Sequence, residues 1–292
     1  MKLNIFRKKD FLGINRRNIT YLLDQNSSLS YRLVDDKLKT KFLLEKNFIP
    51  TPKSYLTIEY PRELANLNQI AELKEFVIKP ASSTGGKGIR IIIGREENKW
   101  RTISGDVLTW NDIRFHVSNT LCGLYSLGGI RDRAFVEYRV RTHEILAAVM
   151  LHGVSDIRVL VYRGVPVMAM LRLPTEKSQG KANLHQGALG VGVDVKTGVT
   201  SAGVYGDRQV MRHPDTHVSI SGVVIPFWQE ILRWAVKTAE IFQLNYVGID
   251  FVIDQALGPL VLELNARPGL SIQLANRKGL VPLLKSIDGK FQ

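Results

Sequence analysis

The sequence predicts an α+β fold, and three observations carry that prediction. Residues 247–253 and 259–265 are apolar runs rich in Val, Ile and Leu, separated by the turn-like Gln255, Ala256, Leu257 and Gly258, and they read as paired strands. Asp156 to Leu173 reads as a hairpin turning at Arg163 and Gly164, and Val191 to Val204 as a second one turning at Lys196, Thr197 and Gly198. Pro226 opens an amphipathic helix reaching to about Phe242, with Trp228, Ile231, Leu232, Ala235 and Ala239 on its apolar side. Hairpins interspersed with separate helices make an α+β chain.

The remaining elements follow in order. Residues 35–47 form a helix that Pro50 and Pro52 end, and Pro61 to Lys74 a second one. Strands Phe76–Lys79 and Gly88–Ile93 flank a loop of Ser82, Ser83, Thr84, Gly85, Gly86 and Lys87. Residues 110–126 are helical, and Arg133–Val140 is a strand. No internal repeat and no low-complexity linker occurs, which favours compact lobes. A chain of 292 residues buries a sizeable core and has room for one large domain or for two or three small lobes.

Composition narrows the function. Hydrophobic residues make up 45% and charged residues 23%, as in a soluble globular protein. The longest apolar run, Ile145–Leu151, is far short of the roughly 20 residues that span a bilayer. The basic N-terminus has no apolar core after it and is no signal peptide. Cys122 is the single cysteine, so no intramolecular disulfide forms, which fits a cytoplasmic protein. The formal charge of +13 implies an anionic partner: nucleotide, acidic peptide, RNA or membrane surface. Lys2, Arg7, Lys8, Lys9, Arg16 and Arg17 cluster at the N-terminus and read as a solvated basic tail; no DNA is expected as a partner, because no recognised motif accompanies them.

Asp250, Glu263 and Asn265 are the most informative side chains. Glu263 and Asn265 are two apart on one strand and share a face, which Asp250 reaches from the neighbouring strand. Such an oxygen set suits Mg²⁺, a hard ion that shares its shell with substrate phosphates. The alternative is a solvated strand face. Both carboxylates lie in apolar runs, where an unpaired charge costs several kcal/mol, and that weighs against it.

Lys79 ends an apolar strand before the small-residue loop, whose backbone amides can close over phosphate oxygens while the lysine supplies a point charge. A plain hairpin loop is the competing reading, and no GxxxxGK[ST] sequence is present. Phe135 to Val140 is an apolar strand leaving through Glu137, against which an adenine ring could lie. Asp156 opens a strand, and Lys181 to Gly187 is a polar insert in which His185 reads as a structural histidine.

In this order the segments DDKLKTKFLLEKNFIPTP from Asp35, FVIKPASSTGGKGI from Phe76, FVEYRV from Phe135, SDIRVLVYRGVPVMAMLR from Ser155, KANLHQG from Lys181, and GIDFVID with LVLELNARPGL resemble the ATP-grasp superfamily. Within it they resemble the bacterial alpha-L-glutamate ligases that append glutamate to a ribosomal protein, over roughly Asp35 to Ala275. The resemblance implies an ATP-grasp fold: two α/β lobes with antiparallel sheets clamping ATP between them. It implies a shortened basic segment over 1–34, a first lobe with the glycine-rich phosphate loop over 35–136, and a second lobe with the metal site over 137–292.

It implies, further, that Lys37 and Lys79 approach the nucleotide phosphates. Glu137 and Tyr138, with Val140 after them, match the hinge that receives adenine. Asp156 matches the residue touching the nucleotide, with Glu144 as the alternative for the ribose. Lys181 and Asn183 match an Arg-x-Asn segment in which Lys replaces the usual Arg, keeping charge but losing the planar fork. Asp250, Glu263 and Asn265 match the Mg²⁺ ligands, with Mn²⁺ as a substitute. Arg267 resembles an arginine directed at the reacting carboxyl phosphate, and with Lys79 it is the expected catalytic pair.

The activity implied is ATP-dependent carboxylate–amine ligation through an acyl phosphate, adding glutamate or another amino acid to a peptide or protein acceptor. A partner subunit in place of the missing N-terminal domain, and a homo-oligomer, are the partners expected. The rival classes are a non-catalytic nucleotide-binding subunit and a basic protein docking on RNA or a membrane surface.

Overall fold

The computed structural model describes residues 8–83 and 86–290. Lys2 and Arg7 of the basic N-terminus, and Thr84 and Gly85 of the glycine-rich loop, lie outside the described residues. A short helix α1 (Ile14–Arg16) runs into a wider π-helical turn (Arg17–Leu23), followed by α2 (Ser28–Val34), α3 (Lys37–Lys46), β1 (Ser54–Ile58) and 3₁₀ turns over Pro61–Ile70. Next come β2 (Phe76–Pro80), β3 (Arg90–Glu96), β4 (Lys99–Thr102), β5 (Val107–Thr109), α4 (Trp110–Leu121), β6 (Ala134–Glu137) and α5 (Glu144–Ala147). The chain continues through β7 (Asp156–Tyr162), β8 (Val165–Leu173), β9 (Leu189–Val193), β10 (Thr200–Tyr205) and β11 (Arg208–Val210). It closes with α6 (Trp228–Ile241), β12 (Tyr246–Asp254), β13 (Gly258–Asn265), α7 (Ile272–Ala275) and α8 (Val281–Asp288). No helix among the described residues is long and apolar enough to cross a membrane.

The chain folds as two compact units, one of Asp36–Leu38 with Pro52–Val140, the other of Met1–Asp35, Lys39–Thr51 and Arg141–Gln292. Each holds one antiparallel sheet. The first has strand order β1-β6-β2-β3-β4-β5 and the second β11-β10-β9-β8-β7-β12-β13.

In the smaller unit, Phe76 and Ile78 point into a core with Leu67, Ile70, Ile113 and Val117. Strand alternation therefore sends Lys79 to the opposite face. Helix α4 starts at Thr109, whose amide donates to the Asp112 carboxylate at 2.7 Å. It stops earlier than the sequence predicts, because Gly123 adopts φ +86° and the Leu124 amide turns back to the Asn119 carbonyl at 3.0 Å. The predicted second helix winds as 3₁₀ turns instead of α. Asn66 and Asn68 in its middle compete for the backbone and are poor α-helix residues.

Buried His116 ties α4 to the exit of the glycine-rich loop: its Nε2 bonds the Gly88 carbonyl at 2.9 Å and Nδ1 faces the Tyr125 hydroxyl at 3.3 Å. Burial lowers its pKa from 6.5 to about 4. A depressed folded pKa means the stability it contributes is present above pH 6.5 and lost as pH falls through 4. Denaturant unfolding of wild type between pH 7 and pH 4 is expected to show a fall on the order of 3 kcal/mol that His116→Gln lacks. Parallel pH curves for the two proteins would show that the imidazole titrates freely.

In the larger unit, Val159, Val161, Leu171, Ile249, Phe251 and Val261 face α6, where Ile231, Ala235 and Ala239 meet them. The β7–β8 hairpin turns at Arg163 (φ 47°) and Gly164 (φ 74°), the left-handed pair a tight hairpin needs. The sheet's other face is apolar at one end, with Leu160, Tyr162, Met168, Met170 and Tyr246. Leu12, Tyr21, Leu22, Ile272 and Leu284 cover it. The Tyr21 ring sits 5.5 Å from that of Tyr162 and 6.0 Å from that of Tyr246.

This corrects the reading of the basic cluster as a solvated tail at Arg17, whereas Lys9 and Arg16 are exposed as that reading expects. Arg17 is buried, and Asn26 is held by Tyr246. The apolar residues interleaved among the cations dock the segment on a sheet end that would otherwise face water.

Candidate active site

Where the second face of the larger sheet ceases to be apolar, a row of charges crosses four strands. Asp156 on β7 stands opposite Arg172 on β8, and Arg158 on β7 stands opposite Asp250 on β12. Asp250 in turn stands opposite Glu263 on β13, and Gly248 opposite Asn265. A bulge at this point does the aiming. Glu263 pairs with Asp250 while Val261 pairs with Phe251, so Leu262 is the extra residue. In an unbroken ladder Glu263 would share the core-facing side of Val261.

Asp250 is fully buried and accepts four N–H bonds: from Arg158 Nε (2.7 Å) and Nη2 (2.6 Å), Arg172 Nη2 (2.6 Å) and Asn265 Nδ2 (2.9 Å). Burial raises its pKa, but the Arg158 and Arg172 guanidiniums outweigh burial and hold the carboxyl below the ordinary range. Asp156 accepts from Arg172 Nε. Its pKa moves upward: desolvation is the largest cause, and Arg172 offsets it only in part. Glu263 is half-buried, with Oε1 3.4 Å from Asn265 Nδ2.

Three carboxylates face two guanidiniums, leaving one formal negative charge in excess, and Glu263 is the carboxylate with most access to water. Among the described residues no three His, Cys, Asp or Glu side chains group for a metal. The oxygen set here has an amide as its third member. Asn265 turns its Nδ2 to the carboxylates, which leaves Oδ1 pointing away from them. Only with the Asn265 amide turned over would Oδ1 stand beside the Glu263 carboxylate as a pair of hard oxygens, and the excess charge is of the sign a divalent cation would meet. The Asp250 oxygens are taken up by nitrogen donors in this arrangement.

In the smaller unit, Lys79 pairs with buried Glu137, which stands opposite Val77 on the same face. Lys37 Nζ donates to the Ser83 carbonyl at 2.5 Å. The Ser82 amide is held by both oxygens of the Asp132 carboxylate at 3.1 Å, so the entry of the glycine-rich loop is fixed. Two ammonium groups flank this loop, a charge arrangement that fits a polyphosphate. Past β6, the Tyr138 amide donates to the Lys53 carbonyl at 2.8 Å, and Val140 is buried.

Among the other predicted residues, Asn183 and Arg267 have partners of their own. Glu144 is exposed at the start of one-turn helix α5. Lys181 is exposed, and Asn183 uses Oδ1 on the His185 amide at 3.0 Å. Arg267 pairs with Asp35 at 3.2 Å and lies over the Tyr31 ring at 4.5 Å. Arg158 and Arg172 are the site members that sequence reasoning passed over. The signal was present: each is an arginine inside an apolar strand, and a buried guanidinium requires a carboxylate partner.

Residues 16–289 match the family described as "Sugar-transfer associated ATP-grasp". No curated protein matches the sequence. Among solved structures, the ATP-grasp ligase PsnB complexed with minimal precursor gives a TM-score of 0.50 at 16% identity, covering 92% of this chain and 63% of that one. D-alanine–D-alanine ligase from Bacillus anthracis gives 0.48 at 14% identity, covering 90% of this chain and 65% of that one. The macrocyclase MdnC bound with precursor peptide MdnA, from Microcystis aeruginosa MRC, gives 0.49 at 11%, covering 92% and 65%. The chain thus spans less than two thirds of the length of each, and at these identities the likeness speaks of fold. A match running from residue 16 to residue 289 makes the chain a member of the sugar-transfer associated ATP-grasp family.

Proposed function

We propose that the protein is an ATP-dependent carboxylate–amine ligase. The observation that carries this reading is the charged row in the larger unit: an oxygen pair, Glu263 and Asn265, beside two guanidiniums that Asp250 holds in place. Glu263 and Asn265, with Asp250 beneath them, would hold Mg²⁺, or Mn²⁺ in its stead. The metal would offset charge on the polyphosphate. Lys37 and Lys79 would neutralise phosphate oxygens, and the backbone of Glu137, Tyr138 and Val140 would receive adenine. Asp156 or Glu144 would contact the ribose, with Lys181 and Asn183 at the phosphates.

In the reaction so read, a substrate carboxylate oxygen takes the γ-phosphoryl group and ADP leaves. An amine nitrogen then attacks the acyl carbon, phosphate departs and the nitrogen loses a proton. Lys79, Arg267, Arg158 and Arg172 stabilise the developing negative charge, and no side chain of the chain need become covalently bound. The sequence likeness to alpha-L-glutamate ligases supports glutamate or another amino acid as one substrate and a peptide or protein as the other. The family's description adds sugar-bearing acids and amines to the panel.

The test is Mg²⁺-dependent ADP release by the purified protein across amino acids, short peptides, amino sugars, sugar acids and their pairwise mixtures, with mass spectrometry of each positive. A pair giving ADP and a product one water lighter than its sum is the expected result. ADP release that no pair stimulates, or nucleotide binding without any release, would replace ligation by the reading of a nucleotide-binding subunit.

A further inference from the structure

The segment before Asp36 does more than cover an apolar sheet end; its polar side chains converge on the stretch that follows Asn265. Arg17, 9% exposed, donates from Nη1 to the Pro268 carbonyl at 2.8 Å across 251 residues of sequence. On its other side Pro268 lies against Gly248, the residue opposite Asn265: a Cβ on Gly248 would meet the Pro268 Cβ at 2.8 Å. The backbone at Pro268 is therefore held between strand β12 and the Arg17 guanidinium.

Arg267, next to it, is gripped by the same segment. Asp35 accepts from its Nη1 at 3.2 and 3.4 Å through its two oxygens, and the Tyr31 ring lies 4.5 Å from its guanidinium carbon. The Tyr31 hydroxyl is buried and has no hydrogen-bond partner among the described residues, so the face of the ring is what this position uses. The segment is itself anchored firmly. Gln273 receives the Leu12 amide at 2.8 Å and donates to the Leu12 carbonyl at 3.1 Å, and the Asp10 backbone packs on Gly279, where any Cβ would clash.

We propose that residues Leu12–Asp35 are a working part of the active site: Arg17 fixes the backbone after the metal strand, and Tyr31 and Asp35 are positioning residues that direct the Arg267 guanidinium. The proposal rests on the reading of Arg267 as a group that meets the reacting carboxyl phosphate. An exposed ion pair alone holds a side chain weakly; a ring face, a bifurcated carboxylate and an anchored backbone together fix its direction.

Two readouts on the full chain test it. Without any substrate, phenylglyoxal modification of Arg267, followed by peptide mass spectrometry, is expected to quicken about 3-fold or more in Tyr31→Leu/Asp35→Asn. Tyr31→Phe/Asp35→Asn, which restores the ring, should recover part of the protection. Unchanged modification rates would overturn the positioning role.

With a substrate pair that supports ADP release, Tyr31→Leu/Asp35→Asn is expected to lower kcat about 10-fold while KM for ATP stays within about twofold. The same changes added to Arg267→Ala should cause no further loss. A loss that multiplies with that of Arg267→Ala would mean the segment acts elsewhere and would sink the proposal. Full turnover by Arg267→Ala would remove the arginine from the mechanism and the active-site role of the segment with it, an outcome distinct from Arg267→Ala failing while the segment variants run normally.

Discussion

Asp250→Asn is expected to cost about 4 kcal/mol of folding stability, because it leaves the buried Arg158 guanidinium without its bonded carboxylate and Arg172 with Asp156 alone. Asp250 accepts from Arg158 twice, from Arg172 and from Asn265, and it is fully buried. An Asn there offers one carbonyl oxygen in place of two charged ones, and turns an NH₂ group toward the donors that the second oxygen satisfies in the wild type. Domains of this kind have only about 5–15 kcal/mol in total, so the loss should appear as a large fall in the urea midpoint. Replacing the whole buried set, as Asp156→Leu/Arg158→Met/Arg172→Leu/Asp250→Leu, should recover much of the stability, since an apolar set of similar volume avoids the desolvation of all four charges. A single variant within about 1 kcal/mol of wild type would mean that water reaches the guanidiniums and that the row is solvated.

The same residues show what was legible in the sequence. Strands β7, β8, β12 and β13 were readable because their apolar runs are long and bounded by turn residues, and α6 because Trp228, Ile231, Ala235 and Ala239 repeat at helical spacing. That Asp250, Glu263 and Asn265 come together was also readable, from two-residue periodicity. The bulge at Leu262 was not, since nothing in the run from Gly258 to Asn265 marks it, yet it is what turns Glu263 away from the core. Nor was the pairing of Asp250 with Arg158 and Arg172 seen, because those partners lie 92 and 78 residues away and only strand order brings them alongside. The docking of the N-terminal segment was missed for a related reason. Its charge is what composition reports, whereas its docking depends on Leu12, Tyr21 and Leu22, spaced without a clean period and meeting surfaces far along the chain.

Glu263→Gln should separate function from folding where Asp250→Asn cannot. Glu263 stands opposite Asp250 on the ladder, but it is half-buried, and its polar neighbours are the Asn265 amide at 3.4 Å and the Asp250 carboxyl, with the Arg172 charge nearby. Removing its charge leaves no buried cation without a partner, so the urea midpoint is expected to stay within about 1 kcal/mol of wild type. ADP release is expected to fall about a thousand-fold or more, because a hard divalent cation loses its better-hydrated carboxylate ligand and with it several kcal/mol of charge stabilisation on the transferring group. Binding of AMPPNP should persist in this variant while losing its dependence on Mg²⁺, since Lys37 and Lys79 remain. Turnover within tenfold of wild type would take β13 out of the mechanism. A loss of turnover accompanied by unfolding would instead make Glu263 a member of the same structural ion-pair row as Asp250, and the two faces of one ladder pair could no longer be assigned separate tasks.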